Sequence, residues 1–179
     1  LRLCPFKSLN GLKLVLDCAN GAASQVAPQV FTQLGAEVVV VNRDLTGRKI
    51  NDQCGSEHAR RCPQDLIETV QLHSAAYGFA FDGDGDRLVI VDENGCMYNG
   101  DDVLFILATY FYEQGELRGN AIVTTDMANT GLKEALSKLG VRTVFTKHGD
   151  KHLEAEIWSK DYLLGSEQVG NVIINDGHH

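Results

Sequence analysis

The sequence predicts an α/β protein made of two related domains, each with a mixed or parallel sheet and helices on both faces. Three observations support this fold class. A β-α-β unit stands near the start of the 179-residue chain, and a second one with a similar corner sequence follows in the other half. Hydrophobic residues make up 44% of the chain, which is typical of a globular protein and sufficient for two packed cores.

The first β-α-β unit opens with Leu12–Asp17 (LKLVLD), an apolar run that predicts a strand and ends at the turn signal Cys-Ala-Asn-Gly. Residues 22–34 predict a helix, because Val26 and Val30 recur at helical spacing and a glycine follows at the C-cap position. Ala36–Val41 (AEVVVV) is continuous and β-branched, which predicts a strand buried on both faces.

The middle of the chain adds two helices and two strands. Pro63–His73 predicts a helix, and Tyr77–Phe81 and Leu88–Val91 predict strands. Asp101–Gln114 is a strongly apolar helix with an acidic first turn that suits the helix dipole. Gly115–Gly119 then gives the predicted boundary between the domains.

The second β-α-β unit repeats the first. Ala121–Thr125 and Val141–Thr146 predict strands on either side of a leucine-rich helix. The strand-to-helix corners read Asp17–Asn20 (DCAN) in the first unit and Asp126–Asn129 (DMAN) in the second. This similarity indicates a duplicated domain. The asparagine that ends each corner is predicted to cap the helix that follows.

The last third of the chain completes the predicted organisation. Its remaining elements are a helix at Lys151–Lys160 and strands at Tyr162–Leu164 and Val172–Ile174. We expect residues 1–9 to be a linker from a preceding domain, residues 10–115 to form one domain, and residues 116–179 to form a second domain that is incomplete at its C-terminus.

Composition excludes several classes of function. The chain carries 24 acidic and 16 basic residues, for a net charge of −8, which argues against nucleic acid as a partner. No apolar run is long enough to span a membrane. The five cysteines are odd in number and form no Cys-x-x-Cys pair, so we expect reduced thiols in a cytoplasmic protein.

The stretch Phe81–Arg87 (FDGDGDR) carries the strongest chemical signal. Asp82, Asp84 and Asp86 alternate with glycines, which permit tight backbone curvature. Three carboxylates in such a loop can converge on a hard cation, and we expect Mg²⁺. Arg87 follows with a guanidinium suited to phosphate. A cation beside a guanidinium is an arrangement that stabilises a phosphoryl group in transfer.

Three alternatives for this loop remain open from the residues alone. It could be an acidic surface turn. It could belong to a phosphatase of the haloacid dehalogenase type, with Asp82 as nucleophile and Asp84 as acid, although Asp86 replaces the threonine of that motif. It could also be an EF-hand, because Glu93 falls on position 12, but Arg87 occupies position 6, where the sharp turn requires glycine.

Four stretches occur in the order seen in α-D-phosphohexomutases, and the chain resembles that family over nearly its whole length. The stretches are GLKLVLDCANGA at Gly11–Ala22, INDQCGSEH at Ile50–His58, FDGDGDR at Phe81–Arg87 and GSEQVG at Gly165–Gly170. The resemblance implies the second and most of the third domain of a four-domain enzyme. It also implies glucosamine phosphate as the expected substrate, with mannose and glucose phosphates as the alternative within the family.

The resemblance further implies a mechanism and a metal. A phosphoserine on the missing first domain exchanges its phosphoryl group with a hexose phosphate through a bisphosphate, which interconverts the 6-phosphate and the 1-phosphate. Mg²⁺ is held by the phosphoserine and by Asp82, Asp84 and Asp86, and Arg87 contacts the group in transfer. The missing fourth domain binds the non-reacting phosphate. The resemblance places that serine in a Ser-His-Asn-Pro-like loop, and because no such loop occurs in these residues, we expect the segment alone to be inactive.

The resemblance places sugar binding in the second domain. Glu167 in the GSEQVG loop and the stretch Gly149, Asp150 and Lys151 are the expected substrate-binding residues. The sequence departs from the family at Val169, where other members have serine, and it has asparagine at position 171, where they have histidine.

Overall fold

The structure, a computed structural model, describes residues 8–177 and divides into two compact units. The first unit extends to Tyr98 and the second begins at Asn99. Each unit contains a mixed sheet and helices, which confirms the predicted fold class. Residues 1–7 of the predicted linker lie outside the described residues.

The first unit contains a five-stranded sheet of order β2-β1-β3-β4-β5. Strand β1 pairs in parallel with β2 and β3, whereas β4 runs antiparallel to both β3 and β5. The bounds are β1 Lys13–Asp17, α1 Ala23–Gln33, β2 Glu37–Val41, α2 Gly55–Arg61, α3 Gln64–Leu72, β3 Tyr77–Phe81, β4 Leu88–Asp92 and β5 Met97–Tyr98. Helix α2 and strand β5 are short elements that the sequence did not predict.

Alternation along β1 explains why this sheet is covered on both faces. Leu14 and Leu16 pack in a cluster with residues of α1, such as Phe31. Val15, which points to the opposite face, packs in a second cluster with residues of α2 and α3, such as Leu66. Each face therefore has its own apolar core, and β1 is buried on both sides.

The burial of strand β2 differs from the prediction. Its run of four valines predicted burial on both faces, but β2 is the edge strand of the sheet, and those valines are only half-buried. A β-branched run identifies a strand, but it does not distinguish a central position from an edge position.

The second unit contains a four-stranded sheet of order β7-β6-β8-β9. Strand β6 pairs in parallel with β7 and β8, and β9 runs antiparallel to β8. The bounds are α4 Gly100–Glu113, a short 3₁₀ helix Arg118–Asn120, β6 Ala121–Thr125, α5 Thr130–Lys138, β7 Arg142–Thr146, α6 Asp150–Lys160, β8 Leu164–Ser166 and β9 Val172–Ile174.

The boundary between the two units lies before helix α4, not after it as predicted. The predicted boundary at Gly115–Gly119 assigned this helix to the first domain, but the division at Tyr98 and Asn99 puts it in the second unit. It packs there on α5 and β8, and it buries Leu104 and Phe111. The glycine-rich stretch is a connection inside that unit.

The two units share one topology, which supports the predicted duplication. The order β2-β1-β3-β4 in the first corresponds to β7-β6-β8-β9 in the second, with the same parallel and antiparallel pairings. In both, the third and fourth strands form an antiparallel hairpin. The loops of these hairpins are the FDGDGDR loop in the first unit and the loop at residues 167–171 in the second.

The corner asparagines have different roles. Asn129 is the N-cap of α5, and its side chain accepts a hydrogen bond from the N–H of Gly131, as predicted. The predicted cap at Asn20 is wrong. Its buried side chain donates to the carbonyl of Lys49 and accepts from the N–H of Asp44, so it anchors the loop after β2 instead of starting α1.

Four of the five cysteines lie within the described residues, and all four are free thiols. Burial raises the pKa of Cys18 to about 11, which keeps its thiol protonated and unreactive at neutral pH. Within residues 8–177, no helix has the length and apolar character needed to cross a membrane.

Candidate metal and substrate site

The loop between β3 and β4 folds around its first carboxylate. Asp82 directly follows β3 and is buried. Its Oδ1 accepts hydrogen bonds from the backbone N–H groups of Gly85 at 3.0 Å and Arg87 at 3.2 Å. Gly85 has a φ of 82°, a conformation that glycine adopts without strain. The local fold therefore uses one oxygen of Asp82 and leaves Oδ2 for another partner.

Two neighbouring segments hold this loop in place. The carbonyl oxygen of Gly83 accepts a hydrogen bond from the N–H of Ala22 at 2.9 Å. On its other side, a Cβ atom at residue 83 would lie 2.4 Å from Cγ2 of Ile50. A side chain at position 83 would force Ile50 to move, so glycine suits a loop that is seated between the β1–α1 corner and the loop that carries Ile50.

The three predicted metal ligands are brought together. Carboxylate oxygens of Asp82, Asp84 and Asp86 all lie within 4.8 Å of one another, and the second and third are exposed. Burial, a hydrogen bond with Asp82 and the charges of Asp82 and Asp84 together raise the pKa of Asp86 to about 6. An all-carboxylate set of this size fits a hard divalent cation such as Mg²⁺, which would also remove the repulsion.

Arg87 lies beside this cluster. Its Nε is 3.7 Å from Oδ2 of Asp82 and 4.0 Å from Oδ1 of Asp86, and the side chain is 44% exposed. The guanidinium is therefore held by the acidic loop but remains accessible to a ligand. Glu93, the residue that would complete an EF-hand, follows β4 at the far end of that strand and does not join the cluster.

A cavity of about 380 Å³ adjoins the loop, is lined by polar and charged residues, and is large enough for a small ligand. Its two basic residues from α2 are paired, Arg61 with Glu57 at 2.6 Å and His58 with Asp65 at 2.7 Å. The sequence assigned no role to them, although His58 is the last residue of the stretch INDQCGSEH. The lining residues are Asn51, Gln53, Glu57, His58, Arg61, Asp82 and Arg87.

In the second unit, Glu167 is the residue around which the predicted substrate-binding positions meet. It directly follows β8 and is buried. Its Oε1 accepts a hydrogen bond from the N–H of Gly149 at 2.9 Å and lies 3.3 Å from Nδ1 of His148. Asp150 and Lys151 begin helix α6 directly after Gly149. The structure thus joins Glu167 to the Gly149–Lys151 segment.

His148 lies beside Glu167, a contact that the sequence did not predict. It precedes Gly149 in the loop before α6, and its exposed ring faces the buried carboxylate of Glu167. A histidine in a surface loop is usually solvated, and no pattern in a single sequence links residues 148 and 167. Only the tertiary fold reveals this pair.

The fold and the loops together define a duplicated α/β protein with an acidic loop in which three carboxylates converge. The chain belongs to the phosphoglucomutase/phosphomannomutase family. The family model of α/β/α domain II matches residues 4–95, and the model of α/β/α domain III matches residues 99–179. The predicted resemblance is confirmed, and the family membership argues against the haloacid dehalogenase and EF-hand alternatives.

Named relatives agree with this membership. The chain is 42% identical to a phosphoglucosamine mutase of Caldicellulosiruptor bescii over 169 residues, which are 94% of this chain and 37% of that protein. It is 45% identical to a phosphoglucosamine mutase of Syntrophus aciditrophicus over 171 residues, 96% of this chain and 37% of that protein. The chain therefore spans a little over a third of these relatives.

Solved structures support the fold. A phosphoglucomutase/phosphomannomutase family protein of Burkholderia thailandensis superposes with a TM-score of 0.85 at 30% identity, over 96% of this chain and 37% of that one. An N-acetylphosphoglucosamine mutase of Aspergillus fumigatus, solved with GlcNAc-6P and magnesium, gives a TM-score of 0.72 at 22% identity, over 92% and 36% of the two chains. The second similarity concerns the fold alone.

Proposed function

We propose that this chain supplies the metal loop and the sugar loop of a Mg²⁺-dependent phosphohexomutase that interconverts glucosamine 6-phosphate and glucosamine 1-phosphate. The reaction uses a phosphoserine and a bisphosphate intermediate. Mannose and glucose phosphates are the alternative substrates. The single observation that carries the proposal is the convergence of Asp82, Asp84 and Asp86 within 4.8 Å, beside Arg87.

In this proposal the metal loop prepares the site where phosphoryl transfer takes place. Asp82, Asp84 and Asp86 hold Mg²⁺, which supplies positive charge to the oxygens of the phosphoryl group when it is bound. Arg87 orients the same group through its guanidinium fork. Backbone hydrogen bonds to Oδ1 of Asp82 fix the loop before the ligand arrives, so that little reorganisation is needed.

The second unit is proposed to bind the sugar. Glu167 accepts from sugar hydroxyls, and its position is fixed by the N–H of Gly149. Asp150 contributes a half-buried carboxylate at the start of α6, and Lys151 contributes an exposed ammonium group for the charged substrate. These roles follow from the family membership and from the contact between Glu167 and Gly149.

The rest of the enzyme is proposed to lie in domains outside this chain. A preceding domain supplies the phosphoserine, and a following domain binds the non-reacting phosphate. The relatives named phosphoglucosamine mutase, of which the chain spans 37%, support both this division and the choice of amino sugar. We also propose a cytoplasmic location, which agrees with the four free cysteines.

Metal binding is testable on the chain itself. Titration with Mn²⁺, followed by electron paramagnetic resonance, should show one weak site that Mg²⁺ competes for. Asp84→Asn should abolish it, whereas Asp126→Asn, which removes an exposed carboxylate in the other unit, should leave it unchanged. Equal Mn²⁺ binding by both variants would refute the metal loop.

The reaction is testable on the full-length protein. We expect conversion of glucosamine 1-phosphate with a higher kcat/KM than glucose 1-phosphate or mannose 1-phosphate, and we expect no turnover by residues 1–179 alone. A preference for either neutral sugar would overturn the assigned substrate but not the class of reaction. Turnover by the isolated chain would overturn the requirement for a phosphoserine domain.

A further inference from the structure

Helix α4 begins directly against the proposed sugar loop of the second unit. The N–H of Gly100 donates a hydrogen bond to the carbonyl oxygen of Gln168 at 3.1 Å, and Oγ of Ser166 donates to the carbonyl oxygen of Gly100 at 3.2 Å. A Cβ atom at residue 100 would lie 1.9 Å from the carbonyl oxygen of Glu167. Only glycine permits this approach, so the start of α4 and the loop are in direct backbone contact.

The same helix end is fixed by its own cap. The side chain of Asn99 accepts from the N–H groups of Asp101 and Asp102, and Oδ2 of Asp102 accepts from the N–H of Asn99. This capping box makes the first turn of α4 a well-defined support.

Asp101, on that first turn, connects two other segments of the unit. Its Oδ2 accepts a hydrogen bond from the N–H of Asn129 at 2.8 Å and a second one from Nε2 of Gln168 at 3.4 Å. Asn129 belongs to the β6–α5 corner, and Gln168 belongs to the loop between β8 and β9. One carboxylate oxygen therefore links the corner to the loop.

The first unit makes the equivalent connection without a carboxylate. There the β1–α1 corner donates directly to the hairpin loop, from the N–H of Ala22 to the carbonyl oxygen of Gly83 at 2.9 Å. In the second unit the corner N–H of Asn129 goes to Asp101, whereas the N–H of its counterpart in the first unit, Asn20, goes to the carbonyl oxygen of Asn42. Within the described residues, the bridging carboxylate is what distinguishes this connection from that of the duplicate.

Burying the carboxylate of Asp101 at this position costs free energy. The residue is 4% exposed, and its Oδ1 is buried without a hydrogen-bond partner among the residues that the structure describes. Burial raises the pKa of the carboxyl group, and the hydrogen bonds from Asn129 and Gln168 oppose that shift. A half-satisfied buried carboxylate lowers stability, so its presence calls for a reason other than stability.

We propose that Asp101 is a positioning residue for the sugar loop, which fixes the distance of the loop from the β6–α5 corner and the orientation of the Gln168 amide. Because Nε2 of Gln168 donates to the carboxylate, the amide oxygen is turned away and is left to accept a hydrogen bond. A suitable donor is the hydroxyl or ammonium group of an amino sugar phosphate. This last step rests on the proposed function, whereas the positioning of the loop does not.

The first test is hydrogen exchange on the chain itself. The N–H of Glu167 donates to the carbonyl of Asn171, and the N–H of Gly170 donates to the carbonyl of Glu167, so both amides report on the closed loop. In Asp101→Asn, the amide oxygen can take the place of Oδ2 and accept from both Asn129 and Gln168, but a neutral acceptor holds these hydrogen bonds more weakly than a carboxylate. The new NH₂ group is also buried at the position of Oδ1, which has no partner among the described residues. We expect both reporter amides to exchange about tenfold faster.

Two further variants serve as a stronger perturbation and as a control. Asp101→Ala removes both hydrogen bonds and should accelerate exchange further, and Asp126→Asn is the matched control that removes an exposed carboxylate and should change nothing. Unchanged exchange of Glu167 and Gly170 in Asp101→Asn would overturn the proposal. If Asp101→Ala does not fold, the exchange rates of Asp101→Asn alone decide whether Asp101 positions the loop.

The second test uses the full-length protein and separates positioning from a general structural role. We expect Asp101→Asn to raise the KM for glucosamine phosphate about tenfold while kcat changes less than about twofold. In a Gln168→Ala background, the same substitution should have little further effect on KM, because its partner is already absent. A loss in kcat alone, or full additivity of the two changes, would overturn the proposal.

The two tests also separate this inference from the proposed function. If the wild-type protein converts no sugar phosphate, the proposed function fails, and the exchange rates still decide whether Asp101 positions the loop. If the protein is active but exchange in Asp101→Asn equals the wild-type value, the positioning role fails and the proposed function stands.

Discussion

Ala22 donates its backbone N–H to the carbonyl oxygen of Gly83 at 2.9 Å, and this hydrogen bond ties the start of α1 to the centre of the acidic loop. The approach is close enough that a Cβ atom at the preceding residue, Gly21, would lie 2.1 Å from the same oxygen. The position of the three carboxylates therefore depends on a contact between backbones as well as on the hydrogen bonds to Oδ1 of Asp82.

Gly21→Ala should displace the metal loop. The new methyl group overlaps the carbonyl of Gly83, so we expect a loss of about 1–3 kcal/mol in unfolding free energy and at least a tenfold loss in Mn²⁺ affinity. Urea unfolding and Mn²⁺ titration of the chain measure the two effects. Ala22→Ser, an exposed neighbour that keeps the N–H, is the control. Wild-type affinity in Gly21→Ala would show that the loop tolerates the shift.

Metal binding should weaken as the pH falls through 6. The pKa of Asp86 is raised to about 6 without an ion, first by burial and then by Asp82 and Asp84, so a proton competes with the cation at higher pH than at an ordinary carboxyl group. Between pH 7.5 and pH 5, we expect the Mn²⁺ affinity to fall about tenfold. Circular dichroism at both pH values controls for unfolding, and an affinity that stays constant would contradict the assignment of Asp86 as a ligand.

Much of the fold was predictable because its signals are local. Strands Tyr77–Phe81 and Ala121–Thr125 agree with the prediction residue for residue, since apolar runs bounded by turn residues leave few alternatives. The acidic loop was predictable for the same reason, because its three carboxylates lie in one short stretch. The duplication was visible as two similar corner sequences.

What the sequence could not provide depends on tertiary contacts. Helix α4 is apolar in either domain, and only its packing on α5 and β8 shows where it belongs. Asn20 has the residue type of a helix cap, yet it binds the loop after β2, which lies far along the chain. The contact of Glu167 with His148 likewise joins distant segments, so residue type and local spacing carried no information about it.

The two corner aspartates should differ in their effect on stability. Asp17 is buried and accepts from the N–H groups of Ala19 at 3.0 Å and Gly55 at 2.8 Å, whereas Asp126 is exposed. Asp17→Ala leaves two backbone donors unpaired, and we expect a loss of about 2–4 kcal/mol, while Asp126→Ala should change the unfolding free energy by less than about 0.5 kcal/mol. Urea unfolding followed by circular dichroism compares them. Equal losses would mean that the corners act alike despite their different burial.

Glu167→Gln should separate the structural and the substrate-binding roles of this side chain. The amide oxygen can still accept from the N–H of Gly149, so the fold of the loop should persist, and the exchange rates of the loop amides should match the wild type. The lost charge removes a strong acceptor for sugar hydroxyls, and we expect kcat/KM of the full-length protein to fall by about tenfold to a hundredfold.

Glu154→Gln, on the exposed face of α6, is the control for a change in net charge. The exposed ring of His148 lies beside this carboxylate, with Nδ1 3.3 Å from Oε1. His148→Asn leaves the carboxylate in place, so we expect a smaller effect in the same assay than from the change at Glu167 itself. An activity loss in Glu167→Gln that is accompanied by faster loop exchange would assign the effect to folding and remove Glu167 from the substrate site.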